Sequence, residues 1–134
     1  MGYTKRTSGG CLAIDVTGVL AATGGAIAGV PNPWGQTVAI LRSTLYITTP
    51  STGAANINIG VGATATTDSA DIISALAVNG AVTGLAYNGH VMELGAKTNI
   101  AAPALWTSTT FVTFTGDAST VGLVATLFLE IAPA

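Results

Sequence analysis

Charged side chains are scarce in this sequence. Four Lys and Arg and six Asp and Glu stand among 134 residues, a charged fraction of 7% with a formal net charge of −2. Soluble monomers keep about a quarter of their residues charged, so little on this surface opposes association. Two of the four cations are the neighbours Lys5 and Arg6, and together the four make no stripe for phosphate contacts. That argues against nucleic-acid binding. The single cysteine, Cys11, allows neither an intrachain disulfide nor a cysteine-based zinc site. It reads as a small buried apolar residue.

Long apolar runs are missing too. The two longest, Gly18 to Val30 and Val121 to Ile131, fall short of the roughly 20 residues a spanning helix needs. The first is mostly Ala, Gly and Thr and stops at Pro31; the second carries Glu130. No membrane span is expected. At the N-terminus Gly9, Gly10 and Asp15 leave no apolar centre for a signal peptide, so cytoplasmic synthesis is expected. A mean hydropathy of +0.62 with so few charges points to a surface covered by partner subunits.

What is present is the pattern of strands. Asn56 to Gly62 places Ile57, Ile59 and Val61 on one face and Asn56, Asn58 and Gly60 on the other. Val38 to Thr48 likewise separates Leu41, Leu45 and Ile47 from Arg42, Thr44 and Tyr46. Thr49 to Gly53 is a cluster of turn formers between the two runs, which predicts a β-hairpin. Thr66 to Ser69 followed by Ala70 to Leu76 has the form of a cap leading into apolar residues at helical spacing, so one short helix is expected near residues 68–76.

Cys11 to Val16 reads as a strand with Leu12, Ile14 and Val16 on one face. Val19 to Val30 reads as two weak strand-like pieces, and Pro31 to Gly35 as a rigid corner that Trp34 pins against the interior. Asn88-Gly89 predicts a hairpin between Ala81 to Tyr87 and His90 to Leu94. Trp106 to Thr115, rich in Thr and aromatics, predicts one strand. In Val121 to Ile131, Leu123, Ala125, Leu127, Leu129 and Ile131 share a face, and the opposite face is largely apolar as well. About eight short strands and one helix predict an all-β antiparallel sandwich over residues 11–134, preceded by an arm over residues 1–10. An up-and-down barrel is the alternative, though the Pro-rich corner suits a sandwich crossover better.

Little in the chain suggests chemistry. The one histidine, His90, reads as a half-exposed strand residue, and no G-x-S-x-G elbow or phosphate-binding loop is present. Asp68 and Asp71 are the closest carboxylate pair, but helix capping accounts for both, as turn chemistry does for Asp117. Trp34, Tyr46, Tyr87 and Trp106 would suit a sugar-stacking platform. With aromatics at 6% of the chain, core or interface anchoring is the commoner role. No catalytic residue, cofactor or metal is expected, and the chain is not read as an enzyme.

Two segments carry a family resemblance. INIGVGATATTDSADIISALAV (Ile57 to Val78) resembles a segment recurring in head decoration and head-fibre proteins of tailed bacteriophages, where an I-G-V strand end leads into a helix start. GDASTVGLVATLFLEIAPA (Gly116 to Ala134) is similar to the closing hairpin of the same proteins. The resemblance implies a jelly-roll-like module, commonly a homotrimer, that sits on the outer capsid surface of the virion and cements neighbouring major capsid protein subunits. Its alternative is a head-fibre or tail adhesin module that binds a host-surface glycan. On this reading the interface candidates are Lys5 and Arg6 of the arm with Trp34, Tyr46 and Phe128.

Overall fold

Apolar residues at every second position oblige each strand to find a dry side, and the computed structural model shows where those sides meet. It describes residues 3–8, 10–20, 24–79, 86–88 and 104–134. Among them are ten strands: β1 (Tyr3–Ser8), β2 (Cys11–Thr17), β3 (Gly25–Pro31), β4 (Val38–Thr49), β5 (Asn56–Gly62), β6 (Ile73–Ala77), β7 (Ala86–Asn88), β8 (Ala104–Trp106), β9 (Phe111–Gly116) and β10 (Val124–Pro133). A six-stranded sheet runs β1-β2-β10-β4-β7, with β8 also paired to β4. A four-stranded sheet runs β3-β9-β5-β6. All pairings between these strands are antiparallel.

The two sheets enclose one core. Leu12, Ile14 and Val16 of β2, Leu45 and Ile47 of β4, and Ala125, Leu127 and Leu129 of β10 join it from the larger sheet. Ile57 and Ile59 of β5 with Val112 and Phe114 of β9 join it from the smaller. The alternation in β2, β5 and β10 is thus the one the sequence predicts. Burying each such aliphatic side chain contributes about 1.5–3 kcal/mol, so the sandwich arrangement rests on these rows. Trp106 is the largest side chain wholly inside, and its indole Nε1 donates to the Thr110 carbonyl at 3.1 Å.

Four local expectations differ from the structure, each for a physical reason. The helix near residues 68–76 is absent. Ile73–Ala77 is strand β6, and the preceding residues are irregular. Within β6 the register jumps from Ile57↔Leu76 to Ile59↔Ile73, so Ser74 and Ala75 stand against Asn58 alone. Ala75 takes a positive φ of 52°. This bulge sets the inward-facing Ile73 and Leu76 three residues apart, the spacing a helix face also has.

Nor do β4 and β5 form a hairpin: they lie in different sheets. The linking residues cross the edge of the sandwich, where Ser51 N donates to Val78 O at 2.9 Å and Thr52 N to Val121 O at 3.0 Å. Crossing lets Leu45 and Ile47 face Ile57 and Ile59 through the core rather than lie beside them. The run from Trp106 to Thr115 is likewise two strands, β8 and β9, in opposite sheets. A turn separates them, in which Thr107 N donates to Thr110 Oγ1 at 3.0 Å and Thr110 N to Thr107 O at 3.3 Å. Local hydroxyl bonds of this kind compete with a ladder that β-propensity alone would continue. Within the expected arm, Tyr3–Ser8 is an edge strand, in register with β2 from Tyr3↔Val16 to Ser8↔Cys11. Of the hairpin around Asn88-Gly89, only Ala86–Asn88 falls among the described residues; His90 and the second strand lie outside them.

Glycines decide what covers the smaller sheet. Gly29, Thr113 and Gly60 form one row across β3, β9 and β5, and all three are buried. The chain between β5 and β6 lies over this row as a strap. A Cβ on Gly29 would collide with the backbone of Ala65, and one on Gly60 would come within 2.7 Å of the Asp71 nitrogen. Overpacking of this sort costs about 1–3 kcal/mol. Gly29→Ala and Gly60→Ala should each lower the urea midpoint by that much stability. Gly53→Ala, with open space around it, should stay within about 0.5 kcal/mol of the parent. Equal midpoints for all three would mean that the strap does not lie on the sheet.

Candidate interaction surface

The outward side of the six-stranded sheet follows from the same alternation that fills the core. Along β10 the inward residues are Ala125, Leu127 and Leu129, which leaves Val124, Thr126, Phe128 and Glu130 outside. Register then builds rows across the sheet. Thr126 stands between Asp15 and Tyr46, Phe128 between Ala13 and Thr44, and Glu130 between Cys11 and Arg42. Tyr46 and Phe128 are therefore diagonal neighbours on adjacent strands, about 7–8 Å apart at the backbone. Phe128 is 46% exposed and Tyr46 42%. Asp15 fastens the sheet at one edge: its Oδ1 accepts from Thr126 Oγ1 at 2.6 Å and its Oδ2 from Thr4 Oγ1 at 3.1 Å.

A bulge adds to this face. The register passes from Glu130↔Arg42 to Ile131↔Ile40, so Leu41 has no Cα partner and both it and Arg42 are exposed. Leu41 is 54% exposed, and Leu105, opposite Ala39 in β8, is 55% exposed. The remaining exposed large apolar residues among those described, Leu20 and Val121, sit on loops at the end of the sheet where Val124 begins β10. Gly18 N donating to Leu123 O at 2.8 Å and Thr120 N to Val19 O at 3.0 Å tie these loops together. None of this apolar surface lies outside the four-stranded sheet.

That second sheet carries a polar network instead. Asn58 and Thr115 are directly opposite in register, and Asp68 of the strap bonds both. Asp68 Oδ1 accepts from Asn58 Nδ2 at 2.9 Å and from Thr115 Oγ1 at 2.7 Å. Asn58 Oδ1 in turn accepts from Ala75 N at 2.8 Å, satisfying the bulged backbone of β6. Nearby, Asp117 accepts from Asn56 N at 2.8 Å and from Asn56 Nδ2 at 3.2 Å. These side chains line a hollow of about 120 Å³. The Asn58 amide, and after it the Thr115 hydroxyl, hold the Asp68 carboxyl below its ordinary value of 3.8. Asp68 thus clasps the strap rather than capping a helix, and Asp71 accepts from Ser69 Oγ at 3.1 Å.

The five residues singled out from sequence fall into three places. Tyr46 and Phe128 share the open face, diagonally placed on β4 and β10. Lys5 and Arg6 belong to β1 at the edge of the same sheet, opposite Ile14 and Ala13. Trp34 is elsewhere: the corner it sits on is about 25 Å from Tyr46 along β4, and its ring meets Trp106 edge-on at 5.9 Å and 88°. Asn32 organises that corner, donating to Gln36 O, Trp106 O and Thr107 O and accepting from Trp34 N at 2.8 Å. Trp34 also walls a cavity of about 150 Å³ together with Gln36, Val38, Ile131 and Pro133. Cys11, expected to be buried, is exposed. As an outward residue of β2 it shares the Glu130 row, and strand alternation overrides the burial preference of the thiol. Sequence reasoning missed Leu41 and Leu105 as surface residues, because a bulge and a short edge strand expose them. Among the described residues, no group of three His, Cys, Asp or Glu side chains converges on a metal-sized site.

Comparison with family models, curated proteins and solved structures finds no match to this chain.

The clasp predicts a pH dependence. A carboxyl whose folded-state pKa lies below its unfolded one adds stability above the unfolded value and loses it as pH falls through the folded value. At neutral pH Asp68→Ala should therefore unfold at lower urea than the parent. The difference should shrink on acidification below 3.8. A gap that stays constant from neutral to acid pH would contradict the clasp.

Proposed function

We propose that this protein is a structural component of a virus particle, a capsid decoration or cement protein of a tailed bacteriophage. It acts by burying surface between subunits of the major capsid protein, not by catalysis. The observation that carries the reading is the inequality of the two outer faces. One is sealed by the chain's own strap over a glycine row, while the other presents Tyr46, Phe128, Leu41 and Leu105 to solvent in a chain with 7% charged residues. Large apolar side chains gathered on one outer face support reading it as an interaction site, and assembly on a repeating lattice multiplies weak contacts into stable occupancy.

The resemblance of residues 57–78 and 116–134 to phage head proteins supports the same reading. Those segments are β5 with the strap and β6, and the loop and strand that close the chain. The jelly-roll expectation draws on the strand count. With β1 and β8 set aside, β2-β10-β4-β7 and β3-β9-β5-β6 leave four strands in each sheet, a count that supports a jelly-roll reading, an eight-stranded double-sheet architecture used in viral capsid domains. The glycan-adhesin reading has one observation in its favour, the hollow that Trp34 and Gln36 line.

Purified protein mixed with undecorated, empty tailed-phage heads should pellet with them to a saturable ratio. Protein left in the supernatant at every concentration would overturn the cement reading. Retention on host cells or glycans without binding to heads would replace it with the adhesin.

A further inference from the structure

We propose that the free edge of β1 takes up an extended, acidic segment of another protein as an added strand. The site is the rim of the larger sheet rather than its outer face, and the inference holds whatever protein supplies the segment.

Among the described residues the two sheets present four edges, and three of them are blunted. Beyond β4 stand only β7 and β8, of three residues each. β6 is broken by the bulge at Ser74-Ala75, where Ala75 takes its positive φ. β3 shifts register between Ala26 and Ala28 and stops at Pro31, which lacks the N–H that a new neighbour would need. Short strands, bulges and proline are devices that keep sheet edges from pairing with other chains. β1 has none of them. Its six residues pair with β2 one for one, without a register shift, and include neither Pro nor Gly. Among the described residues no strand pairs with its other side. Alternate residues there turn their N–H and C=O groups outward, at the spacing a further strand matches.

Charge selects the occupant. Tyr3–Ser8 holds Lys5 and Arg6, two of the chain's four cations, and no anion. Like charges directly opposite one another oppose strand pairing, and unlike charges favour it. A second copy is therefore disfavoured. Antiparallel pairing of two β1 strands over their full length sets Lys5 of each against Arg6 of the other, and parallel pairing in register puts the same cations side by side. A neutral strand gains nothing from the two charges, whereas a strand with carboxylates at the facing positions does. Lys5 and Arg6 are consecutive, so their register positions fall on opposite faces of the sheet. The complementary segment accordingly carries two consecutive acidic residues, flanked by β-branched ones that favour the extended chain. Main-chain hydrogen bonds would hold such a segment, and the charges would choose it.

The probe is the peptide acetyl-Thr-Val-Glu-Glu-Val-Thr-amide, titrated into the full chain by calorimetry, with hydrogen exchange read by mass spectrometry. It should bind saturably and slow exchange within residues 3–8 alone. The double variant Lys5→Glu, Arg6→Glu should bind it roughly tenfold more weakly or worse, with an unchanged circular dichroism spectrum. Two companion peptides on the parent keep the test independent of that variant's folding. One has Lys in place of Glu; the other has Pro in place of Val, which keeps the charge but cannot complete a ladder. Neither should bind. Failure of the acidic peptide to bind the parent at millimolar concentration overturns the inference, as does equal binding of the proline peptide or protection outside residues 3–8. Peptide binding by a protein that ignores phage heads leaves the inference standing and removes the cement reading. A protein that pellets with heads and does not bind the peptide gives the reverse result.

Discussion

Everything in this fold depends on one shared interior. The inward rows of β2, β10 and β4 meet those of β9 and β5, and almost all the side chains between them are aliphatic, with Trp106 and Phe114 as the large exceptions. Because β-strands send alternate residues to opposite sides, filling that interior also dictates what stands outside. Phe128 is exposed because Leu127 and Leu129 are not. Tyr46 is exposed because Leu45 and Ile47 are not. The open face is thus a direct consequence of the core, and its chemistry is written by the residues that the core leaves over.

The two sheets resolve their outer sides differently. On the smaller one, residues without side chains at Gly29 and Gly60 let the β5–β6 connection lie flat against the strands. Asp68 then holds that connection through Asn58 and Thr115. On the larger one no described segment of the chain lies across the outside, and Leu41, Tyr46, Leu105, Val124 and Phe128 stand exposed there beside Arg42 and Glu130. A chain with ten charged side chains has few with which to do otherwise. The charges it has are divided unevenly, with three carboxylates gathered around the strap.

Much of the architecture is readable from residues in order along the chain. Leu12-Ile14-Val16, Ile57-Ile59 and the Leu123-to-Leu129 series announce their buried faces by simple alternation, and the two-sheet arrangement follows from them. What is unreadable depends on partners distant in sequence. The pairing of Asn58 with Thr115, and hence the role of Asp68, exists only once β5 and β9 lie side by side. The bulge at Ser74-Ala75 imitates helical spacing, because a strand that gains one residue and a helix face both bring positions three apart to the same side. Turn formers at Pro50 to Gly53 signal a reversal equally well whether the chain returns within a sheet or crosses to the other. Tyr46 and Phe128 were identifiable as surface aromatics because both lie in strands of unbroken period near their centres. Leu41 and Leu105 were not, since a bulge and a three-residue strand expose them.

One outer face of the sandwich is covered by the protein's own strap, and on the function proposed above the other is buried by assembly. Hydroxyl-radical footprinting read by mass spectrometry addresses it most directly, comparing dilute protein with protein in its assembled state. Tyr46, Phe128, Leu41 and Leu105 should be oxidised in the dilute chain and protected on assembly, while oxidation across the strap should be the same in both. Equal labelling of those four residues in the two states, or protection confined to the strap, would contradict it.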